Sequence, residues 1–241
     1  MTKLPKYADL HVLPHVEDGQ ACERMAQLLK VAGYSTIGLT LPTGLFRERV
    51  SSLRQIFEKN SVHTVLRVDL APTSRVELLR SLRQFRNAYD IIAVKCQNPR
   101  VATVASRDRR VDLVLFDTAN RNVRFSHSLA SLLHGALELN LVAALLGQTN
   151  SSAFASVARA ISIAREHRAA IVLSSGARTP QMIRSPLQIA ALGRTLGLLE
   201  KESLEGVTST PSSIVTRNLE KRSPQYVEEG VKLVIPTPTR R

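Results

Sequence analysis

The feature that most constrains the fold is a repeated alternation of short apolar runs with longer segments of helical pattern. The apolar runs are near-continuous stretches of Val, Ile and Leu, which are typical of parallel strands buried on both faces. They predict strands at 7–13, 36–41, 62–70, 90–95, 111–116, 141–146 and 171–174. Apolar side chains at helical spacing predict helices at 18–32, 45–59, 74–87, 126–139, 151–167 and 185–196, with a shorter segment at 98–107.

Repeated strand–helix units predict a parallel sheet with helices on its outer side. Because seven or eight units fall within roughly 200 residues, they favour a TIM-barrel-like α/β fold over an open doubly wound sheet. The eighth strand has one candidate, 204–209, and a last helix is predicted from 211 to 221. No linker divides the chain. We therefore expect one barrel-like domain over 1–241, with 222–241 as a C-terminal tail that includes a short strand or ordered segment.

The charge excess indicates an anionic partner. The chain has 33 Lys plus Arg against 20 Asp plus Glu, a formal charge of +13, and 25 of the basic residues are Arg. Residues 67–194 hold 18 basic and 8 acidic side chains, so the middle of the chain carries +10 of this excess. Guanidinium groups bind phosphate in a bidentate manner, and nucleic acid is therefore the first expected partner. A basic but merely solvated surface is the alternative.

Composition and short motifs exclude several classes of protein. An aromatic content of 4% with no Trp disfavours base stacking on single strands and favours recognition through shape and phosphate contacts. No apolar run approaches the roughly 20 residues of a membrane span, and the N-terminus lacks the apolar core of a signal peptide. Cys22 and Cys96 stand far apart, as is typical of packing cysteines in a reduced intracellular protein. The sequence contains no GxSxG, Walker or GxGxxG motif.

In a parallel barrel, functional side chains follow the carboxyl ends of the strands. The predicted ends are mostly Ser, Thr, Asn, Gln, Lys and Arg, whereas a hydrolytic metal site needs several converging His, Asp and Glu. Asp9, His11, Asp69 and Asp117 are the candidate ligands of an alternative function, a metal-dependent phosphoesterase. Asp9 and His11 are otherwise expected to form a buried polar pair in the first strand.

The small residues at 174–177 have two interpretations. They could form a phosphate-binding nest before the helix at 185, which would suit a metabolic enzyme acting on a phosphorylated small molecule. They could equally form a tight turn that requires small side chains.

Basic residues near the strand ends give the more useful pattern. On one rim of a barrel they would form a positive surface suited to an RNA backbone. A stripe along the third helix and a cluster before the fifth strand are expected to be solvated or to make a second contact. The rim set comprises Arg67, Lys95, Arg121, Arg124, Arg178 and Arg184, the stripe Arg75, Arg80, Arg83 and Arg86, and the cluster Arg107, Arg109 and Arg110.

Three blocks of the sequence resemble a known family. They are YADLHVLP near the N-terminus, VDLVLFDTANRNVRFSHSLASLLHGALELNLVAALL at 111–146 and IVLSSGARTPQMIRSPLQIAALGRTLGL at 171–198. Over about residues 7–220 the chain is similar to the TIM-barrel-like protein subunit of ribonuclease P, called protein component three in archaea. The last block is the most specific, because Ser-Ser-Gly-Ala is followed by Arg-Ser-Pro and an apolar helix.

The resemblance implies a barrel related to the polymerase and histidinol phosphatase superfamily and an accessory role beside a catalytic RNA. In that family the RNA subunit removes the 5′ leader from precursor tRNA with magnesium. The protein pairs with a Pop five-type subunit and works with other ribonuclease P proteins. We therefore expect no cofactor bound by the protein itself and no membrane contact. We also expect an archaeal cytoplasmic protein, or a nuclear or nucleolar one if it is eukaryal.

The resemblance also bears on individual residues. The metal phosphoesterase relatives carry a His-x-His pair on the first strand, whereas the sequence after His11 reads Val-Leu, so the second His is missing. No catalytic or metal-ligating residue is therefore expected in this chain. Within the rim set, the match to the family is firmest for Arg124, Arg178 and Arg184, while Arg67 and Lys95 rest on their strand-end positions alone.

Overall fold

The chain folds around one parallel sheet that closes almost completely into a barrel. The computed structural model describes residues 7–117, 120, 122–142, 151–228 and 231–232. Within that part, seven parallel strands are hydrogen-bonded in chain order, which confirms the TIM-barrel-like prediction. The strands are β1 (Tyr7–Val12), β2 (Tyr34–Thr40), β3 (His63–Leu70), β4 (Ile91–Lys95), β5 (Leu113–Leu115), β6 (Ala136–Asn140) and β7 (Ile171–Ser174).

Helices connect the strands on the outer side of the barrel, and most begin where the sequence offers a capping side chain. Asp18, Ser74, Asn98 and Ser185 each accept a hydrogen bond from a backbone N–H three residues on, which satisfies one of the free donors of the first turn. The described helices are α1 (Gly19–Val31), α2 (Arg47–Lys59), α3 (Arg75–Phe85), α4 (Pro99–Arg107), α5 (His127–Ala130), α6 (Ser151–Glu166), α7 (Pro186–Thr195), α8 (Glu200–Glu205) and α9 (Ser209–Lys221).

Two buried apolar clusters hold these layers together. The larger one lies between the sheet and the outer helices and includes both cysteines, which are free and buried as predicted. The smaller one fills the barrel near the amino ends of the strands, where Ile214 and Val215 of α9 join side chains such as Leu10, Val65 and Ile91. Helix α9 therefore plugs the amino end of the barrel, and the carboxyl end is left for polar side chains.

The gap between β1 and β7 is bridged by a short segment instead of an eighth strand. The predicted strand at 204–209 does not form, because α8 runs to Glu205 and α9 begins at Ser209. The carbonyl of Gly206 accepts from Leu173 N at 3.0 Å and that of Val207 from Ala8 N at 2.9 Å. A Cβ on Gly206 would lie 2.9 Å from Leu173 Cγ, so the close approach favours glycine.

The sixth strand is displaced from its predicted position. The sequence pattern predicts a helix at 126–139 and a strand at 141–146, but α5 ends at Ala130 and β6 spans Ala136–Asn140. The apolar spacing of 129–137 imitates a helix, whereas the segment pairs with β5 through Ala136 and Leu137. Of the predicted strand, Leu141 and Val142 have helical backbone, and 143–146 lie outside the described residues.

The C-terminal segment adds a small separate sheet. Strands β8 (Tyr226–Glu228) and β9 (Val231–Lys232) pair in antiparallel fashion within the predicted tail. Among the described residues, none of the helices is both long and apolar enough to cross a membrane.

Candidate functional site

A buried arginine lies at the centre of the carboxyl half of the barrel. Arg67 of β3 has no solvent exposure. Its terminal nitrogens donate to the two carboxylate oxygens of Glu138 at 2.6 Å each, and its Nε donates to Asp69 Oδ1 at 2.7 Å. A further bond reaches the carbonyl of Leu10 at 2.7 Å. The prediction that Arg67 faces RNA is therefore wrong. Side chains alternate between the two faces of β3, and that of Arg67 points into the barrel.

The charges of this cluster stabilise one another. Burial alone would raise the pKa of Asp69 and Glu138, but the neighbouring Arg67 charge outweighs burial and lowers the pKa of both carboxyls. Burial likewise opposes the charge of Arg67, and the two carboxylates outweigh it and raise its pKa. Ser174 Oγ donates a further 2.6 Å bond to Glu138 Oε1. The interior is thus an ionic network that joins β3, β6 and β7.

His11 and Asp9 of β1 complete this polar interior. His11 Nε2 lies 3.1 Å from Asp69 Oδ2, and His11 Nδ1 lies 2.7 Å from Asn140 Oδ1. Asp9 is buried and accepts bonds from the backbone N–H groups of His11 at 3.0 Å and Ser175 at 3.2 Å. Burial is the main influence on Asp9, and it raises the pKa of that carboxyl. The two residues belong to one buried polar cluster, as one of the two interpretations expected.

This cluster does not fit the metal centre of the alternative function. Asp69 already binds the Arg67 guanidinium, whose positive charge would repel a nearby metal cation. Asp117, the fourth candidate ligand, is exposed on the loop after β5 and lines a small pocket with Arg124. Of the four candidate ligands, Asp69 is therefore neutralised by an internal arginine, and Asp117 is exposed on a loop.

The turn at 174–177 serves the barrel and is not an open phosphate nest. The backbone N–H of Ser175 donates to Asp9, and that of Ala177 donates to Ser175 Oγ at 3.0 Å. Gly176 has a φ of +66°, which glycine adopts without strain. Two of the backbone donors that a phosphate would need are already used within the barrel, which favours the tight-turn interpretation.

Four of the remaining predicted RNA-binding residues, Lys95, Arg124, Arg178 and Arg184, lie on the strand ends and following loops at the carboxyl end of the barrel. Lys95 is at the mouth, with 45% of its side chain exposed and its Nζ 3.9 Å from Asp69 Oδ2. Arg124 and Arg178 are exposed on the loops after β5 and β7. Arg184 is half-buried, and its guanidinium donates to the carbonyls of residues 181 and 183 of its own loop. Arg121 lies outside the described residues.

A groove that was not predicted from the sequence lies at the same end of the barrel. Thr73, Ser74 and Arg75 form one wall at the start of α3, and Asn98, Pro99 and Arg100 form the other at the start of α4. Asn98 Nδ2 donates to the carbonyl of Thr73 at 2.9 Å, which ties the two helix starts together. Both arginines are exposed. The sequence signal for this groove was the pair of capping residues, Ser74 and Asn98, that follow β3 and β4. Adjacent parallel strands end at the same rim, so the helix starts after them lie side by side.

Several other basic residues have structural roles at the amino end. Arg86 donates to Asp112 Oδ2 at 2.7 Å and to the carbonyl of Asp90 at 2.7 Å, so the predicted solvated stripe does not extend to it. Arg217 of α9 binds the other oxygen of Asp112 at 2.9 Å, and Arg222 pairs with Asp90. These bonds fasten α9 across the starts of β4 and β5.

Comparison with known proteins identifies the family. The family model described as RNase P subunit p30 matches residues 6–223. Ribonuclease P protein component 3 of Methanosarcina barkeri is 25% identical over 238 residues, which cover 95% of this chain and 96% of that protein. A chain in a cryo-EM structure of archaeal ribonuclease P with mature tRNA superposes with a TM-score of 0.81 at 20% identity, covering 95% of this chain and 98% of that one.

A more distant likeness concerns the fold alone. A histidinol phosphate phosphatase from Lactococcus lactis, solved with zinc, L-histidinol and phosphate, superposes with a TM-score of 0.54 at 12% identity over 82% of this chain and 94% of that one. The expected relation to the histidinol phosphatase barrel is thus found in the fold. Because the family model covers most of the sequence, the chain belongs to the RNase P subunit p30 family.

Proposed function

We propose that the chain is an RNA-binding protein subunit of ribonuclease P that supports the catalytic RNA in removing the 5′ leader from precursor tRNA. The observation that carries this proposal is the family match over residues 6–223. The curated relatives of similar length support it, since they are named as a component of ribonuclease P. The protein contributes binding and not chemistry. Its polar interior holds Arg67 where a phosphatase of this fold would need free metal ligands.

The carboxyl end of the barrel is the proposed RNA-binding surface. Lys95 ends β4, and Arg124 and Arg178 lie on the loops after β5 and β7. Arg75 and Arg100 line the groove beside them. Their charges would meet backbone phosphates, which form the main anionic feature of a structured RNA. The partners are ribonuclease P RNA, precursor tRNA and other ribonuclease P proteins, including a Pop five-type subunit. Magnesium belongs to the RNA in this proposal, and the site of action is the cytoplasm.

A reconstitution experiment tests the subunit assignment. The purified protein alone should not cleave precursor tRNA, whereas adding it to the ribonuclease P RNA and partner proteins should lower the magnesium concentration that cleavage requires. Metal-dependent phosphatase activity of the isolated protein, lost in Asp9→Ala, would favour the phosphoesterase instead. No stimulation in the reconstituted assay would contradict the proposal.

A paired substitution tests the surface. Arg124→Ala with Arg178→Ala should weaken RNA binding and reduce the slope of log affinity against log salt by up to about 2, one per lost phosphate contact. The matched control is Arg194→Ala with Lys201→Ala, because both side chains are more than half exposed and lie on α7 and α8, outside the strand-end loops. Equal slopes for the two double variants would remove Arg124 and Arg178 from the RNA-binding surface.

A further inference from the structure

Two histidines and one glutamate meet on the exposed outer side of the barrel. His127 is the first residue of α5, Glu166 is the last residue of α6, and His167 follows it. Within the described part of the chain, this is the one group of three His, Cys, Asp or Glu side chains whose ligand atoms all approach within 4.8 Å. The function proposed above does not use these residues.

The distances in this cluster match those around a small metal ion. His127 Nδ1 lies 3.1 Å from His167 Nε2 and 3.6 Å from Glu166 Oε2. A tetrahedral zinc ion with bonds of about 2.0–2.1 Å to nitrogen and oxygen holds its ligand atoms roughly 3.3–3.4 Å apart. Two of the three ligand pairs thus have nearly the spacing of a zinc site, and the third pair, Glu166 and His167, lies within 4.8 Å.

The chemistry of the donors selects the class of ion. Two imidazoles and one carboxylate suit zinc and its neighbours cobalt, nickel and copper, whereas magnesium and calcium prefer an all-oxygen shell. The end of α6 adds the negative pole of that helix, which also favours a cation. More than half of the His127 and Glu166 side chains is exposed, so a hydrated ion can reach them without any opening of the fold.

We propose that His127, Glu166 and His167 bind one divalent transition-metal ion of the zinc class, with water in the fourth position. The bound ion joins the start of α5 to the end of α6. These elements flank β6, and the ion would therefore hold the outer helices on both sides of that strand. In the absence of metal, the two imidazoles share a hydrogen bond, which accounts for their 3.1 Å separation.

Metal titration of the full-length protein without a polyhistidine tag tests the site. Calorimetry with zinc should show one ion bound per chain, and cobalt should give the visible absorption of a tetrahedral site. His127→Gln and His167→Gln should each weaken zinc binding at least about tenfold, since even the loss of outer partners has an effect of that size. Magnesium at millimolar concentration should neither bind at this site nor displace cobalt.

Matched variants separate this site from incidental histidine binding. His63→Gln and His134→Gln remove exposed histidines outside the cluster and should leave zinc affinity unchanged. Glu166→Gln removes one ligand charge and keeps the side-chain size, so it tests the site even if a histidine variant unfolds. Absence of stoichiometric zinc binding by the wild-type chain would overturn the proposal. Equal zinc affinity in wild type, His127→Gln and Glu166→Gln would also overturn it, because the ion would then lie elsewhere.

Discussion

At the residue scale, Arg67 shows how one side chain changes the use of a barrel. A guanidinium offers five donors in a fixed plane, and four bonds from Arg67 reach two carboxylates and a carbonyl. The carboxylates neutralise this internal charge, so the strand ends are held by an ion-pair network without any cation from outside.

Loss of Arg67 should therefore destabilise the protein strongly. Arg67→Met leaves Asp69 and Glu138 buried without their counter-charge, and breaking a buried ion pair in this way costs about 3–5 kcal/mol. Urea unfolding at neutral pH measures the loss. Glu138→Gln in the Arg67→Met background should cost much less than Glu138→Gln alone, because the charge it removes is already unpaired. Additive losses would mean that the two residues are not coupled.

The same network makes stability depend on acid. The pKa values of Asp69 and Glu138 are lower in the folded chain than their ordinary values of 3.8 and 4.5, so the folded state binds fewer protons at these groups. Their stabilisation is fully present above those values and is lost as pH falls below them. The free energy of unfolding should decline from about pH 4.5 downwards, and less steeply in Asp69→Asn. The raised pKa of Asp9 has the opposite effect on the free energy of unfolding, because the folded state binds a proton at this group more readily than the unfolded state. An unchanged slope in Asp69→Asn would contradict this account.

At the element scale, β6 shows what the sequence pattern can and cannot determine. The other six strands all lie within about two residues of their predicted ends, because continuous Val, Ile and Leu runs identify buried strands directly. In β6 the apolar run is interrupted by Glu138, whose buried charge is explained by its ion pair with Arg67 of β3. Contacts between residues 71 positions apart are not visible in local periodicity. The alternation Ala-Leu-Glu-Leu-Asn was the available signal for a strand with one polar face.

A glycine at the start of β6 fixes the position of this strand. A Cβ on Gly135 would lie 2.5 Å from the carbonyl oxygen of Asp112. Gly135→Ala should therefore cost about 1–3 kcal/mol of unfolding free energy, as overpacking typically does, because the neighbouring atom is backbone. Gly19→Ala is the matched control, since no atom lies within 4 Å of the added methyl group. Urea denaturation of both variants measures the difference, and equal stabilities would mean that β6 shifts freely.

At the scale of the whole molecule, the two ends of the barrel use positive charge differently. At the amino end, Arg86, Arg217 and Arg222 bind Asp90 and Asp112 and hold α9 in place. At the carboxyl end, the basic side chains of the described residues are largely exposed to solvent, apart from Arg67 and Arg184. The exposed ones include Arg75, Lys95, Arg100, Arg124 and Arg178. A net charge of +13 indicated an anionic partner, but the charge alone could not assign each arginine to structure or to binding. Whether an arginine has a structural role or is free to bind RNA depends on which carboxylates the fold places beside it.

This asymmetry predicts which end of the barrel meets RNA. Arg75→Ala with Arg100→Ala, in the groove at the carboxyl end, should reduce the salt slope of RNA binding by up to about 2. Arg107→Ala with Arg109→Ala removes the same charge from exposed residues at the amino end and should change the slope little. Filter binding over a range of salt concentrations, with the same ribonuclease P RNA, measures both. A larger effect from the second pair would place RNA at the amino end, and the carboxyl-end surface would then be free for a protein partner.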